Sequence, residues 1–84
     1  MGDKRTVYLL RSEPHPARHY VGLTADVRDR LEAHNAGESA HTSKLCRWRL
    51  VVSIEFDTAD KAMHFERYLK SGSGRAFAKR HFGG

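Results

Sequence analysis

Residues 19–35 read HYVGLTADVRDRLEAHN, and this stretch decides the fold because a strand pattern changes within four residues into a helix pattern. The extended segment covers His19 to Gly22, and the amphipathic pattern of a helix runs from about Asp26 to Asn35. Thr24 or Asp26 can accept hydrogen bonds from the first-turn amides, and the Gly two residues after Asn35 is typical of a helix end. The stretch therefore predicts a β-strand followed closely by a helix.

The predicted helix carries two polar side chains where its apolar stripe should run. Val27 and Leu31 define the apolar face of a 3.6-residue period, and Arg30 and His34 fall on that same face. Arg30 can lie along the edge of the buried stripe with its charge in water. Alternatively, Arg30 and His34 both project into a functional site.

A second strand pattern precedes this stretch. Residues 6–10, TVYLL, are rich in β-formers, and the intervening segment SEPHPAR at residues 12–18 holds two prolines that exclude a strand or helix interior. The two strands are therefore expected to form a hairpin. Tyr8 and Tyr20 then have the same parity and lie on one face of it.

The remaining chain adds one strand and two helices. Residues 37–47 are predicted to be a loop with at most one helical turn, and residues 48–56 form a strand with Trp48, Leu50, Val52, Ile54 and Phe56 on one core face. A helix capped by Asp57 or Thr58 runs to about Ser71, Gly72 is predicted to stop it in a left-handed conformation, and a last helix covers Arg75 to Phe82. The order β-β-α-β-α-α predicts an α+β fold, a small three-stranded antiparallel sheet flanked by about three helices.

Length and composition bound the class of protein. The chain has 84 residues, so we expect one domain spanning residues 1–84. No apolar run approaches the ~20 residues of a membrane span, and the N-terminal sequence MGDKRTVYLL is not a secretory signal. The single cysteine, Cys46, fits a reducing compartment. We therefore expect a cytoplasmic protein with no membrane partner.

The formal net charge of +5 is concentrated in the second half of the chain. Residues 1–43 contain six Lys/Arg and six Asp/Glu, whereas residues 44–84 contain nine Lys/Arg and four Asp/Glu. A polyanion is the partner that such an excess favours, because neutralised phosphates release counterions.

Glu66 stands out on the predicted second helix because its neighbours Ala62 and Leu69 lie on the apolar side. A carboxylate there has to be paired or bound to a cation. Lys70, one turn later, can form an ordinary surface ion pair with it. Otherwise Glu66 is a hard oxygen ligand of the kind that Mg²⁺ takes.

Five residues together suggest phosphate chemistry. They supply a cation for phosphate, donors and acceptors for a water molecule, and a metal ligand. They are Tyr8, Tyr20, Arg30, His34 and Glu66. A helical zinc site is improbable because no two histidines on a predicted helix have the i, i+4 spacing.

These residues resemble the motifs of the GIY-YIG nuclease superfamily, and the resemblance covers nearly the whole chain. Thr6-Val7-Tyr8 is similar to the first signature, and Tyr20-Val21-Gly22 to the second. The characteristic arginine and the frequent histidine of the following helix fall on Arg30 and His34. The C-terminal stretch AMHFERYLKSGSGRAFAKRHF resembles the small stand-alone bacterial members, which are related to the N-terminal nuclease domain of the excision-repair endonuclease, and places the metal-binding glutamate on Glu66.

The resemblance implies metal-dependent hydrolysis of phosphodiester bonds. Glu66 would hold one Mg²⁺ or Mn²⁺, and Tyr8 would orient or deprotonate the attacking water. Tyr20 would position phosphate or water, and Arg30 would neutralise charge in the transition state. His34 would assist proton transfer or hold Tyr8, and metal hydroxide is a third candidate for the base.

The resemblance also implies a nucleic-acid partner. DNA is the expected substrate, with RNA as an alternative, in repair or recombination; a homodimer or a partner protein would supply specificity. The basic residues expected to contact phosphates are Lys44, Arg47, Lys70, Arg75, Lys79 and Arg80. The alternative function is a nucleic-acid-binding module of the same fold with little or no turnover.

Overall fold

The computed structural model describes residues 3–38 and 42–83 and contains a three-stranded antiparallel sheet in the order β2-β1-β3. The predicted fold class and element order are confirmed. Residues 39–41 of the predicted loop, and residues 1, 2 and 84 of the predicted domain, lie outside the described residues. The elements are β1 (Arg5–Ser12), β2 (His19–Thr24), α1 (Val27–Asn35), a 3₁₀ turn (Ser43–Leu45), β3 (Trp48–Phe56), α2 (Ala59–Lys70) and α3 (Gly72–Phe82).

The hairpin register fixes which side chains share a face of the sheet. Tyr8 lies opposite Gly22, and Leu10 lies opposite Tyr20. Since residues of the same parity point to the same side, Tyr8 and Tyr20 share a face, as predicted. β2 is an edge strand, so its outer side remains open.

Helices cover both faces of the sheet, and each face has its own apolar cluster. Tyr8, Leu10 and Trp48 form one cluster with the apolar side chains of α1. Val7, Ala62 and Leu69 form the other, with aromatic residues of α2 and α3 packed around them. We call these the α1 face and the α2/α3 face.

The prediction of a continuous core face on β3 is wrong. Leu9 pairs with Val52, but the next residue of β1 pairs with Leu50, so Val51 is an extra residue in the ladder. A bulge of this kind reverses the alternation of side chains. Trp48 and Leu50 therefore pack on the α1 face, whereas Phe56 packs on the α2/α3 face.

The caps of α1 and its link to β3 hold this helix in place. The side chain of Asp26, one of the two predicted caps, accepts a hydrogen bond from Asp29 N. Gly37 has a φ of 78°, which ends the helix region as expected. The Asn35 side-chain amide bonds both the N–H and the carbonyl of Trp48. α1 is thereby tied to the start of β3.

The junction of α2 and α3 differs from its prediction. Thr58 caps α2 as expected, but Gly72 does not adopt a left-handed conformation and is the first residue of α3. Ser71 causes the break instead, because it is extended (φ −81°, ψ 169°) and its side chain accepts a hydrogen bond from Gly74 N. Among the described residues, no helix is long and apolar enough to cross a membrane.

Candidate active site

Tyr8 occupies the centre of the α1 face, and only 2% of it is exposed. Its ring crosses the backbone of β2 at Gly22. A Cβ atom added to Gly22 would lie 2.3 Å from both Cζ and the hydroxyl oxygen of Tyr8. This close approach explains why a glycine occupies position 22, and the Tyr8 hydroxyl is directed towards the edge strand.

His34 is fully buried on the last turn of α1 and binds the Tyr8 hydroxyl. Its Nε2 lies 3.1 Å from that oxygen, and its Nδ1 lies 2.8 Å from Thr42 Oγ1. Burial, followed by the charge of Arg30, lowers the pKa of His34 below 6.5. The imidazole is therefore neutral near pH 7 and can accept a proton at one nitrogen.

Arg30 lies one helical turn before His34 and faces the same hydroxyl. Interaction with Tyr8 raises the pKa of Arg30, which keeps the guanidinium charged. Burial raises the pKa of Tyr8, although the hydrogen bond from Arg30 opposes that rise. Tyr8 is thus a protonated phenol at neutral pH whose oxygen faces Arg30. This leaves its own proton for His34 Nε2.

Tyr20 lies at the mouth of this group and is partly exposed. Its ring centroid is 4.7 Å from that of His34 and 6.2 Å from that of Tyr8. Within residues 3–38 and 42–83, no hydrogen bond engages the Tyr20 hydroxyl. It remains available to an oxygen of a ligand.

Glu66 is on α2 and therefore on the opposite face of the sheet from the other four predicted residues. Its side chain is 19% exposed, and Oε2 lies 2.7 Å from Lys70 Nζ. The ion pair anticipated from the sequence is present. Burial raises the pKa of Tyr8, and the charge of Lys70 opposes this rise slightly, so the end of α2 is within electrostatic reach of the hydroxyl.

The structure therefore brings together Tyr8, Tyr20, Arg30 and His34 and leaves Glu66 across the edge strand. In the part of the chain that the structure describes, no group of three or more His, Cys, Asp or Glu side chains could hold a metal. Glu66 consequently offers a single carboxylate to an ion rather than part of a protein cage. Such a donor suits an ion that keeps most of its coordination for water and substrate.

Thr42 is a site residue that the sequence did not indicate. It is 2% exposed, and its carbonyl accepts a hydrogen bond of 3.0 Å from Trp48 Nε1. The indole thus fixes the hydroxyl that binds His34. A lone threonine in a segment without periodicity gives no local signal for this role.

The predicted basic residues separate into two groups. Lys70, Arg75 and Lys79 line a groove on the α2/α3 face, whereas Lys44 and Arg47 are exposed beside the 3₁₀ turn on the α1 face. Arg80 is exposed on α3. Arg18, in the hairpin loop, also lines the groove and was missed, because only the folded hairpin brings it to α3.

Comparisons with known proteins identify relatives of this chain. Residues 4–80 match the family model described as the GIY-YIG catalytic domain. The chain is 40% identical over 67 residues to the structure-specific endonuclease subunit SLX1 of Scheffersomyces stipitis, covering 71% of this chain and 20% of that protein. It is 39% identical over 61 residues to a UPF0213 protein of Streptococcus pyogenes, covering 68% of this chain and 63% of that protein.

A solved structure also matches. The solution NMR structure of a UPF0213 protein from Bacillus halodurans has a TM-score of 0.56 and 26% identity, and the match covers 95% of this chain and 87% of that one. The chain spans less than two thirds of the length of the curated relatives named above. The family match over residues 4–80, with the site geometry, shows that the chain belongs to the GIY-YIG family.

Proposed function

We propose that this protein is an endonuclease that hydrolyses phosphodiester bonds in DNA with one divalent metal ion. The observation that carries this proposal is the convergence of Arg30 and His34 on the Tyr8 hydroxyl. Family membership and the endonuclease subunit among the relatives support the same reaction. Structure-selective or weakly sequence-specific cleavage in repair or recombination is part of the proposal.

Arg30 is the residue proposed to stabilise the phosphate. A phosphodiester gains negative charge at its non-bridging oxygens when water attacks, and a charged guanidinium beside those oxygens lowers the barrier. Arg30 carries that charge at every relevant pH because its pKa is raised. Its fork of donors can also contact two oxygens at once, which lysine cannot reproduce.

Tyr8 and His34 are proposed to carry the proton from the attacking water. Burial raises the pKa of Tyr8 above 10.0, so the phenol keeps its proton at neutral pH. In that state it cannot act as a base unless its own proton leaves. As the water proton moves to the Tyr8 oxygen, the phenolic proton moves to His34 Nε2, which lies 3.1 Å away. Thr42 Oγ1 then accepts the Nδ1–H of the imidazolium. Tyr20 positions the phosphate or the water.

Glu66 is the residue proposed to hold Mg²⁺ or Mn²⁺. Lys70 occupies Oε2, so the other carboxylate oxygen is the donor available to an ion. A bound ion would polarise the scissile phosphate and stabilise the leaving oxygen. Because Tyr8 reaches across Gly22 to the edge strand, a phosphate at the outer side of β2 would lie between the two groups of residues.

The test is nicking of supercoiled, branched and single-stranded DNA, and of RNA, with Mg²⁺ or Mn²⁺. We expect Arg30→Ala and Glu66→Ala to lower the rate by at least ~100-fold. Arg28→Ala, an exposed arginine on the same helix, and Glu32→Ala are matched controls that keep wild-type rates. Cleavage that persists unchanged in Arg30→Ala and Glu66→Ala would come from a contaminant and overturn the proposal.

The second candidate function is a nucleic-acid-binding module with little turnover. The position of Glu66 on the opposite face from the other four residues, paired with Lys70, favours it. Binding without cleavage on every substrate, with both metal ions, would select this function.

The location and partners are also proposed. The single cysteine, Cys46, supports the cytoplasm, where thiols stay reduced. Specificity is proposed to come from a homodimer or a partner protein, and the SLX1 relative is itself named a subunit. Sedimentation of the chain alone and with candidate DNA structures would measure its oligomeric state.

A further inference from the structure

A basic groove of about 660 Å³ lies on the α2/α3 face, between the hairpin loop and the C-terminal helices. Four cationic side chains line it: Arg18, Lys70, Arg75 and Lys79. Within the described residues, no carboxylate contributes to the lining. We call this the basic groove, and its charge alone makes it a site for an anion.

Three of these cations lack an ion-pair partner among the residues that the structure describes. Lys70 is partly neutralised by Glu66, but Arg18, Arg75 and Lys79 form no ion pair in residues 3–38 and 42–83. Arg75 and Lys79 are one turn apart on α3 and therefore lie on the same side of that helix. Arg18 is brought to the same groove by the hairpin loop.

A buried polar atom in the lining supplies a second, independent observation. His19 Nε2 has no hydrogen-bond partner among the described residues although the atom is inaccessible to solvent. Buried polar atoms in folded proteins are normally paired. A rotation of the His19 side chain, which lines the groove, would bring this nitrogen to a phosphate oxygen or a base edge of a bound strand.

The aromatic residue at the edge of the groove connects it to the reaction site. Tyr20 lines the basic groove and also packs against His34, with ring centroids 4.7 Å apart. Cations that follow a backbone, combined with an aromatic ring on which a base can stack, are the features that bind single-stranded nucleic acid. The groove has the volume of a site for a small ligand, so it holds a few nucleotides of one strand rather than a whole duplex.

We infer that the basic groove binds a single-stranded nucleic-acid segment, DNA or RNA, which passes Tyr20 on its way to the reaction site. This inference rests on the proposed function for the identity of the reaction site. The strand therefore crosses the open edge of β2, with its bond to be cut on the α1 face and its continuation on the α2/α3 face.

The experiment measures fluorescence anisotropy of labelled oligothymidylate, oligouridylate and a duplex of equal length, in EDTA so that no cleavage occurs. Arg75→Ala/Lys79→Ala is compared with Arg28→Ala/Arg67→Ala, two exposed arginines outside the groove. We expect the groove variant to bind the single strands roughly tenfold more weakly, and its salt slope to fall by about 1.4 for two lost phosphates. The control changes affinity less than about twofold.

A separate variant tests whether the single strand runs through the basic groove, without removing a lysine or an arginine. His19→Ala is expected to weaken the single strands and leave duplex binding unchanged, since the duplex cannot enter. Circular dichroism melting shows that each variant is folded. The arms with oligothymidylate and oligouridylate identify whether single-stranded DNA or RNA is preferred.

The outcomes separate this inference from the proposed function. Equal losses for the groove variant and the control, or equal losses for single strand and duplex, would overturn the inference even if the wild type nicks DNA. A wild type that never nicks DNA but shows the selective loss would overturn the nuclease proposal and keep the groove.

Discussion

The two faces of the three-stranded sheet differ in how their polar side chains are placed. On the α1 face, polar side chains are buried and fully engaged with one another: His34 is 0% exposed and binds both Tyr8 and Thr42. On the α2/α3 face, the buried cluster is apolar, and four cations line a groove at its edge.

This difference suggests that one face serves the chemical step and the other serves binding. Buried hydrogen bonds hold donors and acceptors in one geometry, which is what a chemical step needs. Exposed cations on flexible stems adapt to a backbone, which is what binding needs. The α1 face is therefore expected to determine rate, and the α2/α3 face, apart from the proposed metal ligand Glu66, is expected to determine affinity. Tyr20 and the edge of β2 belong to both.

The largest expected effects come from substituting two glycines, one on each face of the sheet. In Gly74→Ala, the added Cβ would lie 1.7 Å from the Tyr68 carbonyl oxygen, and a backbone atom cannot move aside cheaply. We expect a loss of about 3 kcal/mol or more in the free energy of unfolding. Urea denaturation followed by circular dichroism measures it. Gly72→Ala, with nothing within 4 Å, is the control and should retain wild-type stability.

Gly22→Ala should damage chemistry more than the fold. Its Cβ meets the end of the Tyr8 side chain, which can swing away at a cost of about 1–3 kcal/mol in stability. The displaced hydroxyl then leaves Arg30 and His34, and we expect the nicking rate to fall at least ~100-fold. Oligonucleotide affinity in EDTA should change less than about twofold. A large loss of affinity with a normal rate would reverse the roles assigned to the two faces.

Thr42 tests whether the buried polar chain acts as one unit. Thr42→Val removes the partner of His34 Nδ1 and leaves a buried nitrogen unpaired, which costs about 1–3 kcal/mol. Thr42→Ser restores the hydroxyl and should recover both stability and nicking. A valine variant with wild-type stability and nicking, beside an impaired serine variant, would show that the methyl group of Thr42 matters and its hydroxyl does not.

The smallest expected effect is a pH dependence of stability that arises from the α1 face. Burial lowers the pKa of folded His34 below 6.5, so the unfolded chain binds more protons as the pH falls through that value. The free energy of unfolding is expected to decrease below about pH 6.5, with a slope of at most about 1.4 kcal/mol per pH unit, until the lowered pKa is reached. Urea titrations at several pH values should show this slope in His64→Gln, an exposed histidine, and not in His34→Gln.

Much of the fold follows from local sequence. The hairpin, the cap at Asp26 and the end of α1 at Gly37 depend on neighbouring residues, and each was predicted correctly. The bulge at Val51 was not predictable, because period-two alternation continues through the sequence and only pairing with β1 interrupts it. The start of α3 was placed three residues late because Ser71, an ordinary residue for a helix end, both stops α2 and caps α3.

The site was predictable in part for the same reason. Arg30 and His34 can be recognised because they interrupt the apolar stripe of their helix. A pattern of that kind is visible within one short stretch of sequence. Thr42 and Arg18 have no such signal, since their roles arise from tertiary contacts with His34 and with α3. The separation of Glu66 from the other four depends on which face α2 covers, which periodicity alone does not determine.

The most direct test of the Tyr8 centre removes one oxygen atom. Tyr8→Phe is compared with Tyr68→Phe, an exposed tyrosine on α2, in the same nicking reactions, with oligonucleotide affinity measured on the same samples. We predict that the Tyr8→Phe rate falls at least ~100-fold while affinity changes less than about twofold, and that Tyr68→Phe is unaffected. A Tyr8→Phe rate within threefold of wild type would contradict the assignment of this hydroxyl as the centre of the reaction.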